Sequence, residues 1–291
     1  MLENYKVILF YKFINLKNPE EEAEKQKKLC LDCNLKGRVL FSKEGINATL
    51  EGTEENVEKY KTAMRSNPLW SDVSFKESDS NGKSFTKLKV KVRNEIVTLE
   101  AGYFDVKKET APTITAEEMQ KMYEENENFA VLDLRNDYEV KVGYFKNTVN
   151  DSFDFKLQNF RDLPKEMEKL DSLKNKKVVA VCTGDIRCEK ATCLLKREGF
   201  QNLYHLKDGI HDYLVKYPVK NFKGSLFVFD NRMTTPVIDL PDREIVGKCE
   251  YCNEKCESFW SDDSVRPSRK VICCDSCAPL HSDILRSCMP N

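Results

Sequence analysis

Residues Lys177-Val178-Val179-Ala180-Val181 form an unbroken, largely β-branched run. The chain then passes through Cys182-Thr183-Gly184-Asp185-Ile186-Arg187-Cys188 into a helical pattern. A run with no polar alternation reads as a strand buried on both faces, as in a parallel sheet. From Glu189 to Glu198 the spacing is helical, with Ala191, Leu194 and Leu195 on one side, and Gly199 supplies the stop at the C′ position. Phe129–Asp133 and Leu203–Leu206 are further strands. Thr115-x-x-Glu118 is a capping box that opens another helix. Strands alternating with helices imply a doubly wound parallel sheet, an α/β architecture.

The cysteine therefore ends a central strand, where open parallel sheets bind ligands. A loop entering a helix N-terminus turns backbone N–H groups inward and adds the positive end of the dipole. An anion is favoured there, so the Cys182 thiol should have a depressed pKa. Arg187 adds a permanent positive charge. The alternative is a buried structural cysteine, but Gly184, Arg187 and the helix start all agree with an anion cradle. Cys188, at the helix start, reads either as a thiol that resolves an oxidised Cys182 or as a plain helix residue.

A length of 291 residues accommodates two or three domains. Net charge is -1, so a nucleic-acid site would have to be a local patch. Mean hydropathy of -0.58 fits a soluble protein, and no apolar run approaches the roughly 20 residues of a membrane span. Tyr5–Tyr11 is too short and unsuitably flanked for a signal peptide. A cytoplasmic location is expected, with the 12 cysteines reduced, metal-bound or catalytic rather than disulfide-paired. No G-x-G-x-x-G fingerprint for a flavin or nicotinamide occurs.

Before the parallel sheet, residues 1 to about 105 read as strand, helix, strand, strand, helix, strand. Val7–Phe13 is strand-like, Asn18-Pro19 caps a helix rich in early glutamates, and Gly37 ends the next connection. Arg38–Phe41 and Ile46–Leu50 flank a hairpin turn at Ser42–Gly45. Thr53 starts a second helix that Asn67-Pro68 breaks. This order fits a split βαβ, ferredoxin-like unit. Cys30 and Cys33 read as part of a core helical face. Phe85–Val92 alternates strictly, with Leu88, Val90 and Val92 on one face and Lys87, Lys89, Lys91 and Arg93 on the other. Such a cationic row can track a phosphate backbone; taken alone it is an ordinary solvated sheet face.

Seven of the 12 cysteines fall between Cys249 and Cys288. Cys249-x2-Cys252 and Cys274-x2-Cys277 have the spacing of a four-cysteine zinc site, which a small module with few aliphatic residues needs as a staple. Cys256, Cys273 and Cys288 are surplus, and a reduced, metal-free tail is the alternative. Phe259, Trp260, Arg266, Arg269 and Lys270 lie between the pairs and read as an aromatic and basic loop, which suits RNA stacking and phosphate contact or a solvated connection equally. His205, Asp208 and His211 match a two-histidine, one-carboxylate iron site in composition. His205 falls within a strand and the spacing crosses a turn, so a satisfied structural histidine is the better reading.

Cys182–Ala191 resembles the active loop of the rhodanese family, close to CTGGIRCEKA, with Asp185 where that form has a second glycine. A phosphatase loop places its arginine one residue farther from its cysteine. Asp133, Arg135, Glu139 and Gly143 resemble the N-terminal rhodanese signature and Lys207–Ile210 its closing one; Asp133 and Arg135 buttress the sheet end in this reading. Phe10–Phe13, Gly37–Val39, Glu44–Ala48, Lys91–Arg93, Phe222–Gly224 and Phe227–Arg232 resemble the rhodanese-related tRNA uridine hydroxylases. The resemblance implies three parts: a ferredoxin-like (acylphosphatase-like) α+β domain at 1–105, a rhodanese domain at 106–220 and a cysteine-rich tail at 221–291. It implies oxygen-dependent conversion of a tRNA wobble uridine to 5-hydroxyuridine, with molecular oxygen as co-substrate and the anticodon stem-loop as partner. Cys182 and Arg187 are the expected catalytic residues, with Thr183, Gly184, Asp185, Ile186 and Cys188 forming the loop. A sulfurtransferase using a Cys182 persulfide and a non-catalytic interaction module are the rival readings.

Overall fold

The computed structural model describes residues 4–149, 155–218, 220–235 and 244–288. The chain divides into two compact units, residues 1–98 and 99–291.

In the first unit, β1 (Tyr5–Phe13), α1 (Pro19–Asp32), β2 (Lys36–Ser42), β3 (Gly45–Thr53), α2 (Glu54–Ser66), β4 (Lys76–Ser80) and β5 (Leu88–Val92) follow one another. The sheet order is β4-β1-β3-β2-β5. All neighbours are antiparallel except β2 and β5. The first four strands with the two helices make the expected ferredoxin-like unit. The Asn18 and Thr53 side chains accept the Glu21 and Asn56 N–H groups, each at 3.3 Å, and so start the helices. Both helices cover one sheet face, where Ile8, Phe10, Ala48 and Leu50 meet Ala23, Cys30, Tyr60 and Met64. Cys33 joins the same core, in keeping with the reading of this cysteine pair.

β4 has the sequence Lys-Glu-Ser-Asp-Ser and carries no apolar residue. It is an edge strand held by backbone pairing to β1, and the sequence does not announce it. Because β4 and β5 lie at opposite edges, their connection must cross the sheet. Leu50 points to the helices, so Glu51 points to the open face, and its buried carboxylate accepts the Ser84 and Phe85 N–H groups at 3.0 and 3.2 Å. This crossing delays the start of β5 to Leu88 rather than Phe85, and leaves Lys87 just before it.

The second unit begins with α3 (Val106–Glu109), β6 (Thr113–Ile114), α4 (Ala116–Glu124), β7 (Ala130–Asp133), α5 (Asp137–Val140) and β8 (Gly143–Phe145). β9 (Val178–Val181), α6 (Ile186–Arg197), β10 (Leu203–Leu206) and α7 (Gly209–Lys216) follow. The main sheet has the order β6-β10-β9-β7, parallel throughout. β9 is buried at every residue, as its composition requires. Met119, Phe145, Ile210 and Tyr213 pack against Val131, Val179, Val181 and Leu206. α6 starts at Ile186, earlier than Glu189, because Asp185 adopts a left-handed conformation (φ 80°) that turns the backbone directly into the helix.

Beyond the parallel sheet, β11 (Phe222–Gly224) pairs with β8, and β12 (Leu226–Phe227) pairs with β13 (Thr234–Thr235). β14 (Phe259–Asp262), β15 (Arg269–Ile272) and β16 (Leu285–Ser287) form an antiparallel sheet in the order β15-β14-β16. A small core of Val142, Phe227, Phe259 and Ile272 joins this sheet to the rest of the unit. Among the described residues no helix is long and apolar enough to cross a membrane.

Candidate active site and metal centre

Cys182 follows the carboxyl end of β9, and the loop after it is held from two directions. At its far end, the Asp185 carbonyl accepts the Cys188 and Glu189 N–H groups at 2.8 and 3.1 Å and opens α6. From the side, α7 donates Ile210 N–H to the Cys182 carbonyl at 2.9 Å and His211 N–H to that of Thr183 at 3.1 Å. Gly209 makes this approach possible. Its φ is 74°, and a Cβ there would lie 2.7 Å from the Cys182 oxygen and 2.8 Å from the Asp185 nitrogen.

The Cys182 thiol is fully buried, and burial by itself raises a thiol pKa. Here it is outweighed. The Cys188 thiol donates a hydrogen bond to the sulfur, the Arg187 charge favours the thiolate, and the Arg187 backbone N–H donates as well. Asp185 opposes them, and the pKa comes to rest at about 6. The complementary effect holds Cys188 protonated: burial and the neighbouring Cys182 push its thiol well above the ordinary value. The two sulfurs thus divide the roles of acceptor and donor.

The Arg187 guanidinium is not aimed at the sulfur alone. It makes a two-pronged pair with Glu139 of α5, at 2.6 and 2.8 Å, and also reaches the Thr183 hydroxyl at 3.3 Å. The fully buried Glu139 also accepts the Asn136 N–H at 2.9 Å. The arginine therefore acts on Cys182 from a fixed distance, kept charged by Glu139 in spite of burial. Asp133 and Arg135 form a second buried pair at 2.6 Å, and Arg135 donates to the Gly143 carbonyl at 2.6 Å, buttressing the sheet end.

Asp185 brings a negative charge to the loop, but the charge is answered. Its Oδ1 lies 2.7 Å from His205 Nδ1, both residues are buried, and its Oδ2 accepts the Asp208 N–H at 3.3 Å. Burial lowers the His205 pKa, and the Asp185 bond and charge more than reverse that, so the net shift is upward. The histidine is a structural partner, as its strand position implied. The pairing spans twenty residues and has no local signature.

The second cysteine grouping is also brought together. The sulfurs of Cys249, Cys252, Cys274 and Cys277 all lie within 4.8 Å of one another, with Cys252 and Cys274 at 3.6 Å. A tetrahedral zinc with Zn–S bonds near 2.3 Å needs sulfurs about 3.8 Å apart, so four thiolates here fit that ion's geometry. The knuckles are formed by tight turns: Asn253 N–H to the Cys249 carbonyl at 2.9 Å, and Cys277 N–H to that of Cys274 at 3.1 Å. Cys273 turns into the local core, and Cys256 and Cys288 are partly buried outside the group.

The basic residues separate into two groups with different surroundings. Lys89, Lys91 and Arg93 are exposed, while Leu88, Val90 and Val92 pack inward. Register places Arg38 of β2 beside Lys89, and Leu40 beside Lys91, on the open face. Continuing across β3 to β1, Leu9 and Tyr11 share that face, and Lys76 of β4 lies 5.5 Å from the Tyr11 ring centre. In the second unit, Phe259 and Arg269 belong to paired strands rather than a loop. Phe259 is buried, and Arg269 is bonded to Asp262 at 3.0 Å and Glu250 at 2.9 Å. Lys270 Nζ lies 3.5 Å from the Cys288 sulfur, and Arg266 is exposed in the connection between the strands.

Family models match the chain along its length: a UPF0176 acylphosphatase like domain at residues 5–96, a rhodanese-like domain at 115–216 and a rhodanase C-terminal domain at 223–289. A tRNA uridine(34) hydroxylase of Bacillus licheniformis is 35% identical over 277 residues, 94% of this chain and 84% of that protein. The chain belongs to the tRNA uridine(34) hydroxylase family. Proteins of the same name from Cytophaga hutchinsonii and Staphylococcus carnosus are each 32% identical, covering 95% and 94% of this chain and 86% and 90% of theirs. The matched rhodanese-like domain contains the Cys182 loop, and the chain is an enzyme of the hydroxylase family with a rhodanese-type active site.

Proposed function

We propose that the protein hydroxylates the wobble uridine of tRNA at C5 in an oxygen-dependent reaction, with Cys182 as the catalytic cysteine. The observation that carries this reading is a thiol at the end of β9 held near pKa 6, in a chain whose relatives are named tRNA uridine(34) hydroxylase. One oxygen atom enters the base, the other leaves as water, and a thiol reductant supplies two electrons and two protons. The Cys182 thiolate adds to C6, making C5 more nucleophilic toward the oxidant, and departs as the C5 proton is lost. Arg187 and the loop N–H groups stabilise negative charge at the sulfur.

The open face of the first unit serves the RNA. Arg38, Lys89, Lys91 and Arg93 supply charge for phosphates, and Tyr11 offers a ring for a splayed base. Cys249, Cys252, Cys274 and Cys277 hold a structural zinc. The functional parts are residues 1–105, 106–220 and 221–291, and the tRNA substrate together with twelve unpaired cysteines fits a cytoplasmic protein.

Nucleoside analysis of tRNA tests this reading. Deleting the protein should lower 5-hydroxyuridine, overproducing it in air should raise it, and Cys182→Ser should abolish the rise. The rhodanese-like loop also supports a second reading, sulfur transfer from a Cys182 persulfide. Unchanged 5-hydroxyuridine together with efficient sulfur transfer from thiosulfate to a small thiol would install that reading instead.

A further inference from the structure

Val228 to Met233 forms the tip of the β12–β13 hairpin. The turn is tightly built: Val228 N–H donates to the Met233 carbonyl at 2.7 Å, and Met233 N–H to the Asp230 carbonyl at 3.0 Å. The buried Asp230 side chain accepts from Arg232 three times, from its backbone N–H at 3.0 Å and its guanidinium at 2.8 and 2.6 Å. A turn fixed in this way presents Phe229 outward. Phe229 is 39% exposed, unusual for a phenylalanine set in an aromatic cluster.

The position of the ring gives that exposure a purpose. The Arg187 guanidinium carbon lies 5.5 Å from the ring centre, so Phe229 stands at the rim of the cysteine loop. Phe227 braces it edge-on at 5.3 Å, and Phe227 is in turn set against Tyr138 and Phe259, each at 5.1 Å. The support reaches Ile272 of the cysteine-rich module through the shared core. A partly exposed aromatic residue, immobilised from behind and with a buried cation over its ring, is what a flat, electron-poor heterocycle stacks on. Aliphatic packing alone would have favoured covering the ring.

We propose that Phe229 is the stacking platform for the target pyrimidine, holding the splayed base at the mouth of the Cys182 loop. The proposal rests on the tRNA reading above and adds the residue that receives the base. Stacking on an aromatic side chain is sequence-tolerant, so the ring sets position, while the loop chemistry acts on whichever pyrimidine is presented.

A cycle of four affinities isolates the contact, using full-length protein and an anticodon stem-loop RNA that carries either uridine or an abasic site at the wobble position. Base–aromatic stacking contributes about 1–3 kcal/mol, so the wild type should bind the abasic RNA about 5- to 150-fold more weakly. Phe229→Leu keeps apolar bulk against Phe227 but offers no π face, and should bind the two RNAs within about twofold of each other. Phe229→Tyr should restore the wild-type difference. An abasic penalty equal in the wild type and Phe229→Leu overturns the proposal while leaving the tRNA reading intact. A wild type that binds neither RNA overturns both.

Discussion

Replacing Cys188 by alanine tests the electrostatics of the site most directly. In the folded protein the Cys188 thiol donates to the Cys182 sulfur, and this is the first-ranking influence holding the Cys182 pKa down against burial. A hydrogen bond to a charged group contributes about 1.5–3 kcal/mol, and one pKa unit corresponds to about 1.4 kcal/mol. Loss of the donor should therefore raise the Cys182 pKa by about one to two units, from about 6 to roughly 7–8. At pH 7 the thiolate fraction would fall from about 90% to between about 50% and 10%. Thiolate absorbance, recorded as a difference against Cys182→Ser from about pH 5 to pH 9, reads this midpoint without requiring a reagent to enter the buried loop. Cys188→Ser returns a donor and should return the midpoint to near 6. A midpoint unmoved in Cys188→Ala would refute the argument and leave Arg187 and its backbone N–H as sufficient by themselves.

Other perturbations address other parts of the fold. Glu139→Gln leaves the buried Arg187 guanidinium without its counter-charge and should cost about 3–5 kcal/mol in denaturant unfolding of the second unit; a change below about 1 kcal/mol would show the pair to be incidental. The raised His205 pKa makes the Asp185 pair stabilising below the ordinary imidazole value of 6.5, with that contribution lost as pH rises through the folded value. The stability gap between wild type and His205→Gln should accordingly be widest in acid and shrink toward alkaline pH, and a gap that widens instead would contradict the pairing. Protein purified without added metal should contain about one zinc per chain, and a chelator should unfold the C-terminal sheet; zinc near zero with that sheet intact would exclude the site. Charge reversal at Lys89 and Lys91 should weaken tRNA binding and flatten its salt dependence by about one unit of log–log slope per lost phosphate contact; an unchanged slope would remove the open face from the interface.

The parts of this molecule legible in its sequence are those whose signals are local. The β9 strand, the cysteine loop and the Gly199 stop lie within one continuous stretch, and burial on both faces leaves a composition that only one kind of strand requires. Thr115 and Glu118 announce their helix because a capping box is completed within four residues. β4 carries no local signal because an edge strand can be wholly polar when the backbone does the pairing. α6 begins before its apolar spacing does because a left-handed Asp185 turns the chain directly into the helix. The site itself is less legible. Asp185 and His205, Arg187 and Glu139, and Arg187 and Phe229 are brought together only by the fold, and each residue has an ordinary local explanation. The basic stretch near Arg269 shows the opposite case. Read as an open loop, it is a strand whose arginine is committed to Asp262 and Glu250.

The grip of α7 on the Cys182 and Thr183 carbonyls bears on how the cradle meets a changing sulfur. A peptide plane carries its oxygen and its N–H on opposite sides, so anchoring the oxygens outward fixes the direction of the N–H groups. Flipping either plane would sacrifice a bond to α7, worth about 1 kcal/mol net when remade with water and more when left unmet in the interior. The polarity of the loop is thereby set before any charge arrives. The Thr183 and Gly184 N–H groups that share these planes keep one direction, while the Arg187 N–H donates to the Cys182 sulfur, so charging the sulfur requires no flip of either plane.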